Sequence, residues 1–293
     1  MGNPTLVNPA FGTAVFAVGG PQNGDVAALP VRAQGPTIAS MTGSPVRTVV
    51  SGIPGKLAAA VARAIAADGG SDLTGVFNPG RDGEWDGVRY VTDLPSDVEV
   101  VVEAGPDHAV MENLGRWRRA GVAAVVGTSG FTNERIEHVR TLWQGAERAC
   151  LIVPNFSIGA VLAMRFAELA ARHFETAEVI ERHSAAKPDA PSGTALQTAA
   201  RIAGGGGRSS PRQEELVAGS LGGTVDGVRV HSLRLAGILS HQEVAMTNPG
   251  EQFSIVHQST SYDSFASGAV AAVKAVSSMS GVVLGLDRVL GLE

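Results

Sequence analysis

From residue 46 onward the apolar positions follow two alternating periods, one of strands and one of helices. Val46 to Val50 is a β-branched run that reads as a strand. It enters Ser51-Gly-Ile-Pro-Gly-Lys-Leu-Ala58 and then a helix with Leu57, Val61, Ala64 and Ile65 on one face, ending near Gly69-Gly70. Leu73 to Phe77 is the next strand. The alternation continues through a strand at 97–104, a helix at 109–120 turned inward on Val110, Leu114 and Trp117, and a strand at 122–126. A helix at 133–144 and a strand at 149–153 follow. Strands separated by amphipathic helices predict a parallel, doubly wound sheet.

The pattern then changes. A long helix is predicted over 161–174 with Leu162, Phe166, Leu169 and Ala170 on one face. A short strand from Ala177 to Ile180 leads into a polar loop holding His183 and Lys187. Ser192 starts a helix whose stripe is Ala195, Leu196, Ala199, Ala200 and Ile202, and a flexible loop is expected over 204–211. Between Val228 and His257, alternation through Val228, Val230, Leu233, Leu235, Val244, Phe253 and Ile255 reads as antiparallel strands. A helix at 265–278 and the segment 282–292 return the chain to the first domain.

Composition narrows the classes. The 293 residues are 44% hydrophobic and 17% charged with net charge −5, enough for one large or two modest domains and a poor match to nucleic acid or an anionic membrane. The one cysteine, Cys150, lies in an apolar run and reads as a buried strand thiol, and no Cys/His cluster suggests a metal. No apolar run reaches the roughly 18 residues of a membrane span, and the expected location is the cytoplasm. Residues 1 to 46 have no charged side chain before Asp25 and no basic start for a secretory signal. They read as a flexible or loosely docked extension, with Met41 an alternative start.

Two stretches carry chemistry. In the first, Gly52-Ile53-Pro54-Gly55-Lys56-Leu57 joins strand to helix, as in a dinucleotide-binding βαβ unit. Gly52 permits the tight turn and Gly55 lets the backbone approach a pyrophosphate at the helix end. Asn78 takes the place where an acidic residue would hold the adenosine ribose. With Arg81 nearby, this tilts the cofactor toward NADPH, with NADH possible. The second stretch runs from Glu178 to Leu196. It sets His183, a candidate proton donor, and Lys187, a cation, before Ser192-Gly193-Thr194, whose open amides and helix dipole form an anion site.

Residues 181–195, Glu-x-His-x-x-x-Lys-x-Asp-Ala-Pro-Ser-Gly-Thr-Ala, strongly resemble the signature of dihydrodipicolinate reductases, nicotinamide-dependent enzymes of bacterial lysine and diaminopimelate synthesis. The turn at Gly52, the Gly127-Thr128-Ser129-Gly130-Phe131 loop and the Pro154-Asn155-Phe156-Ser-x-Gly junction resemble the same family. The resemblance implies a Rossmann-type cofactor domain (47–154 and 268–293) and an α+β substrate domain (155–267) with an open mixed sheet that packs in a homotetramer. It implies hydride transfer to a conjugated cyclic imine or enoyl carboxylate, with His183 as acid, Lys187 as charge stabiliser, and Ser192, Gly193 and Thr194 on a substrate carboxylate. Gly105, Gly127, Thr128 and Ser129 fall beside the nicotinamide. Two positions depart: Ser184 stands for the second His of a pair, and Tyr262 for an Arg that holds the dicarboxylate. A lysine-pathway reductase, a relative with a changed substrate, and a silent nucleotide-binding protein on the same fold are the readings to separate.

Overall fold

The computed structural model describes residues 44–128, 130–211 and 214–293; most of the expected extension, and Ser129, lie outside the described residues. The first half holds β1 (Val46–Ser51), α1 (Lys56–Ala67), β2 (Ser71–Phe77), β3 (Glu84–Trp85), β4 (Val88–Val91), β5 (Val100–Glu103), α2 (Val110–Ala120), β6 (Ala123–Val126), α3 (Asn133–Leu142) and β7 (Cys150–Ile152). The second half holds α4 (Ile158–Ala171), β8 (Thr176–Ser184), α5 (Gly193–Gly204), β9 (Gly223–Val225), β10 (Val228–Leu235), β11 (Ser240–Asn248) and β12 (Glu251–Ser259). A short 3₁₀ turn (Tyr262–Phe265), α6 (Ala266–Val276) and β13 (Val282–Leu284) complete it.

The first sheet runs β13-β7-β6-β5-β1-β2-β4-β3 and is parallel except for the β3–β4 hairpin. Its central strands β5, β6 and β7 are buried on both faces, so they read as nearly unbroken apolar runs. Val50, Val100 and Val102 face one layer with Val61 and Ile65 of α1 and Val273 and Val276 of α6. Val49, Val101 and Val126 face the other, with Leu114 and Trp117 of α2 and Val139 of α3. The chain leaves β1 toward β2, then crosses back to β5 on the other flank. This makes the ends of β1 and β5 the switch point where such sheets bind ligands. Gly52 sits there with φ of 106°, and a Cβ on it would fall 2.3 Å from the Ala104 carbonyl oxygen.

The second sheet, β12-β11-β8-β10-β9, is mixed: β8 and β10 pair in parallel, the other pairs antiparallel. This is the open mixed sheet expected; within residues 228–257 β11 and β12 pair antiparallel as read, while β10 lies across β8 and pairs with it in parallel. Helices α4 and α5 cover one face, burying Val179, Val230, Val244 and Met246. β13 returns to pair with β7, and α6 packs on the first sheet's core.

Other elements differ from expectation. β8 extends to Ser184, so His183 stands on a strand and not in a loop. β5 begins only at Val100, because Val98 closes a turn onto the Pro95 carbonyl. α4 buries Ala160, Val161, Ala163, Met164, Ala167 and Ala171, leaving Phe166 50% and Leu169 44% exposed. Small side chains let α4 lie close to α5, which displaces the bulkier stripe outward. On α5, Thr198 is buried where Leu196 and Ala200 were expected. The run from Gly204 to Ser209 is tied down by Gly207 N–H to Ile202 O (2.8 Å) and Ser209 Oγ to Ala177 O (2.7 Å). The β3–β4 hairpin was missed, though its Asp86-Gly87 turn, with φ of 53° and 77°, is a recognised hairpin signal.

Candidate active site

Two adjoining cavities of about 720 and 540 Å³ lie between the sheets, and Pro154, Asn155, His183, Lys187 and Thr194 line both. The larger also takes in Lys56, Leu57, Gly127, Phe156, Ser184, Tyr262 and Phe265. The smaller takes in Thr128, Ser192 and Gly193. Fragments far apart in sequence therefore meet at one cleft.

On the cofactor side, α1 starts at Lys56 with Gly55 as its N-cap and no capping side chain, so its first amides are open donors. These residues fit an anionic diphosphate, the dipole adding to the amides. Gly55 and Lys56 are exposed, whereas Ile53 is buried in the core and serves the turn by packing. Asn78 holds that turn from below, its Nδ2 donating to Ile53 O (2.8 Å) while its Oδ1 accepts from Gly80 N (3.2 Å). Much of its hydrogen-bonding capacity is thus spent on the protein, while Arg81 beside it is exposed. Thr128 Oγ1 donates to Gly105 O (2.9 Å), joining the loops after β5 and β6. Gly127 lies flush on the Phe156 ring, where a Cβ would come within 2.3 Å of Cε2.

Beneath Gly105 sits Glu103, fully buried, which sequence reading passed over. Its carboxylate accepts from Ser51 Oγ (3.2 Å), Gly105 N (2.9 Å) and Trp117 Nε1 (3.0 Å). Burial pushes its pKa up, against those hydrogen bonds.

On the other side of the cleft, Ser192 caps α5 by accepting from Ala195 N (3.2 Å). The amides of Gly193 and Thr194 remain as open donors facing the smaller cavity. Asn155 reaches over from the end of β7, donating to Thr194 Oγ1 (3.1 Å) and accepting from Ser157 N (2.8 Å). Lys187 Nζ lies 2.7 and 2.8 Å from the two Asp189 oxygens, and this ammonium holds the Asp189 carboxyl below its usual range. Ser184 Oγ accepts from Ala186 N (3.3 Å), so its hydroxyl caps a turn. Tyr262 stacks obliquely on Phe265, ring centroids 5.9 Å apart.

His183 and Glu181 share one face of β8, and His183 Nδ1 meets Glu181 Oε2. Glu181 has no solvent exposure. Burial works to raise its pKa, but its neighbours His183, Ser232 and Arg234 prevail and bring it down to about 2. The sequence reading includes Glu181 in the signature without giving it a role, and it misses Arg234. Among the described residues, no group of three or more His, Cys, Asp or Glu side chains could hold a metal, and no helix could cross a membrane.

Comparison with known proteins agrees with this geometry. Residues 46–156 match the family model described as dihydrodipicolinate reductase, N-terminus, and residues 159–290 the corresponding C-terminus. The 4-hydroxy-tetrahydrodipicolinate reductase of Nocardia farcinica is 43% identical over 254 residues, covering 84% of this chain and 99% of that protein. That of Streptomyces griseus is 41% identical over 256 residues, covering 85% and 100%. The dipicolinate-bound dihydrodipicolinate reductase of Paenisporosarcina sp. TG-14 superposes with a TM-score of 0.73 at 30% identity, covering 83% of this chain and 99% of that one. The DAP dehydrogenase of C. glutamicum shares only the fold, with a TM-score of 0.52 at 17% identity, covering 86% of this chain and 97% of that one. By both halves of its sequence and by its structure, the chain belongs to the dihydrodipicolinate reductase family of pyridine-nucleotide-dependent reductases.

Proposed function

We propose that this reductase reduces a cyclic imine carboxylate of the dihydrodipicolinate type in the cleft between its two sheets. The observation that carries the reading is the meeting of His183, Lys187 and the open α5 amides with the α1 N-terminus around one cleft. The pyrophosphate rests on Gly52 to Leu57, and Arg81 beside Asn78 favours a 2′-phosphate, hence NADPH over NADH. When bound, the reduced nicotinamide supplies the hydride. Gly105, Gly127, Thr128, Pro154, Asn155 and Phe156 shape the floor on which the ring lies.

The amides of Gly193 and Thr194, with the Ser192 cap, hold a substrate carboxylate at the dipole's positive end. Lys187 turns from Asp189 toward negative charge developing in the substrate ring, and His183 delivers the proton that completes the reduction. The 155–267 region is the substrate domain, and residues 47–154 with 268–293 the cofactor domain. The sheet face away from α4 and α5 carries Leu233 (37% exposed), Leu235 (43%) and Val256 (58%), which suits a homotetramer of a cytoplasmic enzyme.

The test is NADPH oxidation followed at 340 nm with dihydrodipicolinate, for wild type and His183→Ala. Turnover that collapses in the variant supports the reading. Equal turnover in both would place the chemistry elsewhere. A shifted substrate has its own motivation: Ser184 Oγ is engaged in a turn, and Tyr262 offers the cleft a phenol where a guanidinium would grip a second carboxylate. On that reading, a related substrate with a single anchored carboxylate outpaces dihydrodipicolinate.

A further inference from the structure

We infer that Glu181, clamped by Arg234, is the positioning residue of the site, fixing at once the proton donor, the anion-binding helix and the loop that carries the cation. The inference rests on the assignment of His183 as proton donor.

Three contacts converge on one buried carboxylate. Glu181 Oε2 faces His183 Nδ1, and Oε1 accepts both the Ser192 backbone N–H (3.2 Å) and Arg234 Nη2 (3.0 Å). The same Nη2 donates to the Asp189 carbonyl, and the Asp189 side chain holds Lys187. Arg234 stands directly across from His183 in the parallel β8–β10 register, so its guanidinium reaches the carboxylate from the neighbouring strand. Its side chain is 19% exposed and that of Glu181 0%.

A fully buried carboxylate is costly unless it is paired, and here Oε1 accepts two hydrogen bonds while Oε2 has His183 Nδ1 as its close neighbour. The group is ionised at neutral pH, its pKa being held near 2 by those partners against the effect of burial. An ionised acceptor facing Nδ1 requires the proton on that nitrogen. Nδ1 is itself buried, so the ring offers the cleft its other nitrogen, Nε2. The imidazolium gives up its Nε2 proton to the substrate and keeps the Nδ1 proton toward Glu181. Because Oε1 also holds Ser192 N–H, the donor and the substrate's carboxylate site are referenced to one rigid group. A small misplacement between them is expensive in rate, which gives this common anchor its value.

The test uses the full chain in Glu181→Gln, which is isosteric but can present an amide N–H to Nδ1 and so favour the opposite tautomer. The expected result is a fall in kcat of about 10²–10⁴-fold, with the NADPH dissociation constant and the substrate KM changed by less than about five-fold. A second readout needs no cofactor: long-range ¹H–¹⁵N spectra of the His183 ring, assigned with His183→Asn, should show Nδ1–H in wild type and Nε2–H in the variant. Arg234→Lys, which keeps the charge but not the fork, should lower kcat by roughly ten-fold with NADPH binding unchanged. Arg234→Lys also decides the matter should Glu181→Gln not fold, since full kcat in it would sink the clamp. Wild-type kcat in a folded Glu181→Gln, or an unchanged ring tautomer, overturns the proposal provided His183→Ala is inactive. If His183→Ala is active, the underlying assignment has failed instead.

Discussion

The glycine at the start of α1 gives a direct test of where the cofactor's charge rests. Gly55 is exposed, with φ −55° and ψ 143°, ordinary extended backbone that any residue adopts. A side chain there does meet one obstacle, since its Cβ would lie 2.8 Å from the Gly52 carbonyl oxygen. Gly55→Ala measures that steric cost alone, and Gly55→Asp adds a carboxylate at the mouth of the open amides. At about 4 Å and an effective dielectric near 20, one pair of charges interacts by about 4 kcal/mol. Solvent at this exposed site roughly halves the figure, and the pyrophosphate carries more than one charge. A net loss of about 2–4 kcal/mol relative to Gly55→Ala is expected, or roughly 30- to 1000-fold in affinity. Asp is also a favoured N-cap, so its side chain competes for the same amides without unfolding the helix. The assay is titration calorimetry with NADPH, alongside melting curves showing both variants equally folded. Equal affinity in the two variants would refute the placement of the pyrophosphate on this turn.

Three further outcomes follow from the site. His183→Ala and Lys187→Ala should each reduce turnover by about 10²–10⁴-fold while calorimetry shows cofactor affinity intact; near wild-type turnover in both would count against their roles. Ser184→His with Tyr262→Arg should raise kcat/KM on dihydrodipicolinate by roughly 10- to 150-fold, the worth of one charge-assisted contact, and no gain means the native pair is neutral toward that substrate. Glu181, with a folded pKa of about 2 against 4.5, contributes stability that is present above pH 4.5 and lost as the pH falls toward 2. The gap in unfolding free energy between wild type and Glu181→Gln should therefore shrink by up to about 3 kcal/mol between pH 5 and 2 in denaturant titrations. A gap that stays flat would mean the carboxylate is not held ionised.

The first sheet was legible because its central strands are covered on both faces. Val100 to Val102, Ala123 to Val126 and Cys150 to Ile152 are nearly pure apolar runs, and nothing in their environment asks for an exception. Chemical motifs were legible for a different reason: the Ser192 cap and the Gly52 turn are local devices, set by residues adjacent in sequence. α4 was misread because its inner face is chosen by how closely α5 approaches. A stripe of Ala163, Ala167 and Ala171 is the better fit there, although Leu162, Phe166 and Leu169 are more hydrophobic.

The polar interior of the site was hidden by a change of phase. In β10, Val228 and Val230 point into the core under the second sheet, and two-residue alternation carries that face on to Ser232 and Arg234. The sequence reading followed the apolar residues instead, to Leu233 and Leu235, which stand on the opposite face, 37% and 43% exposed. A strict parity count would have placed Arg234 inside. The same count on β8 puts Glu181 and His183 beside Ala177 and Val179. A buried carboxylate on the inner face of one strand needs a partner of opposite sign, and an Arg on another inner face is the natural choice. What no local pattern encodes is the pairing itself. β8 and β10 are joined by a crossover through α5, and only their parallel register brings Arg234 level with His183. The fold therefore does more than shape a cleft, since its register assembles the charges around His183.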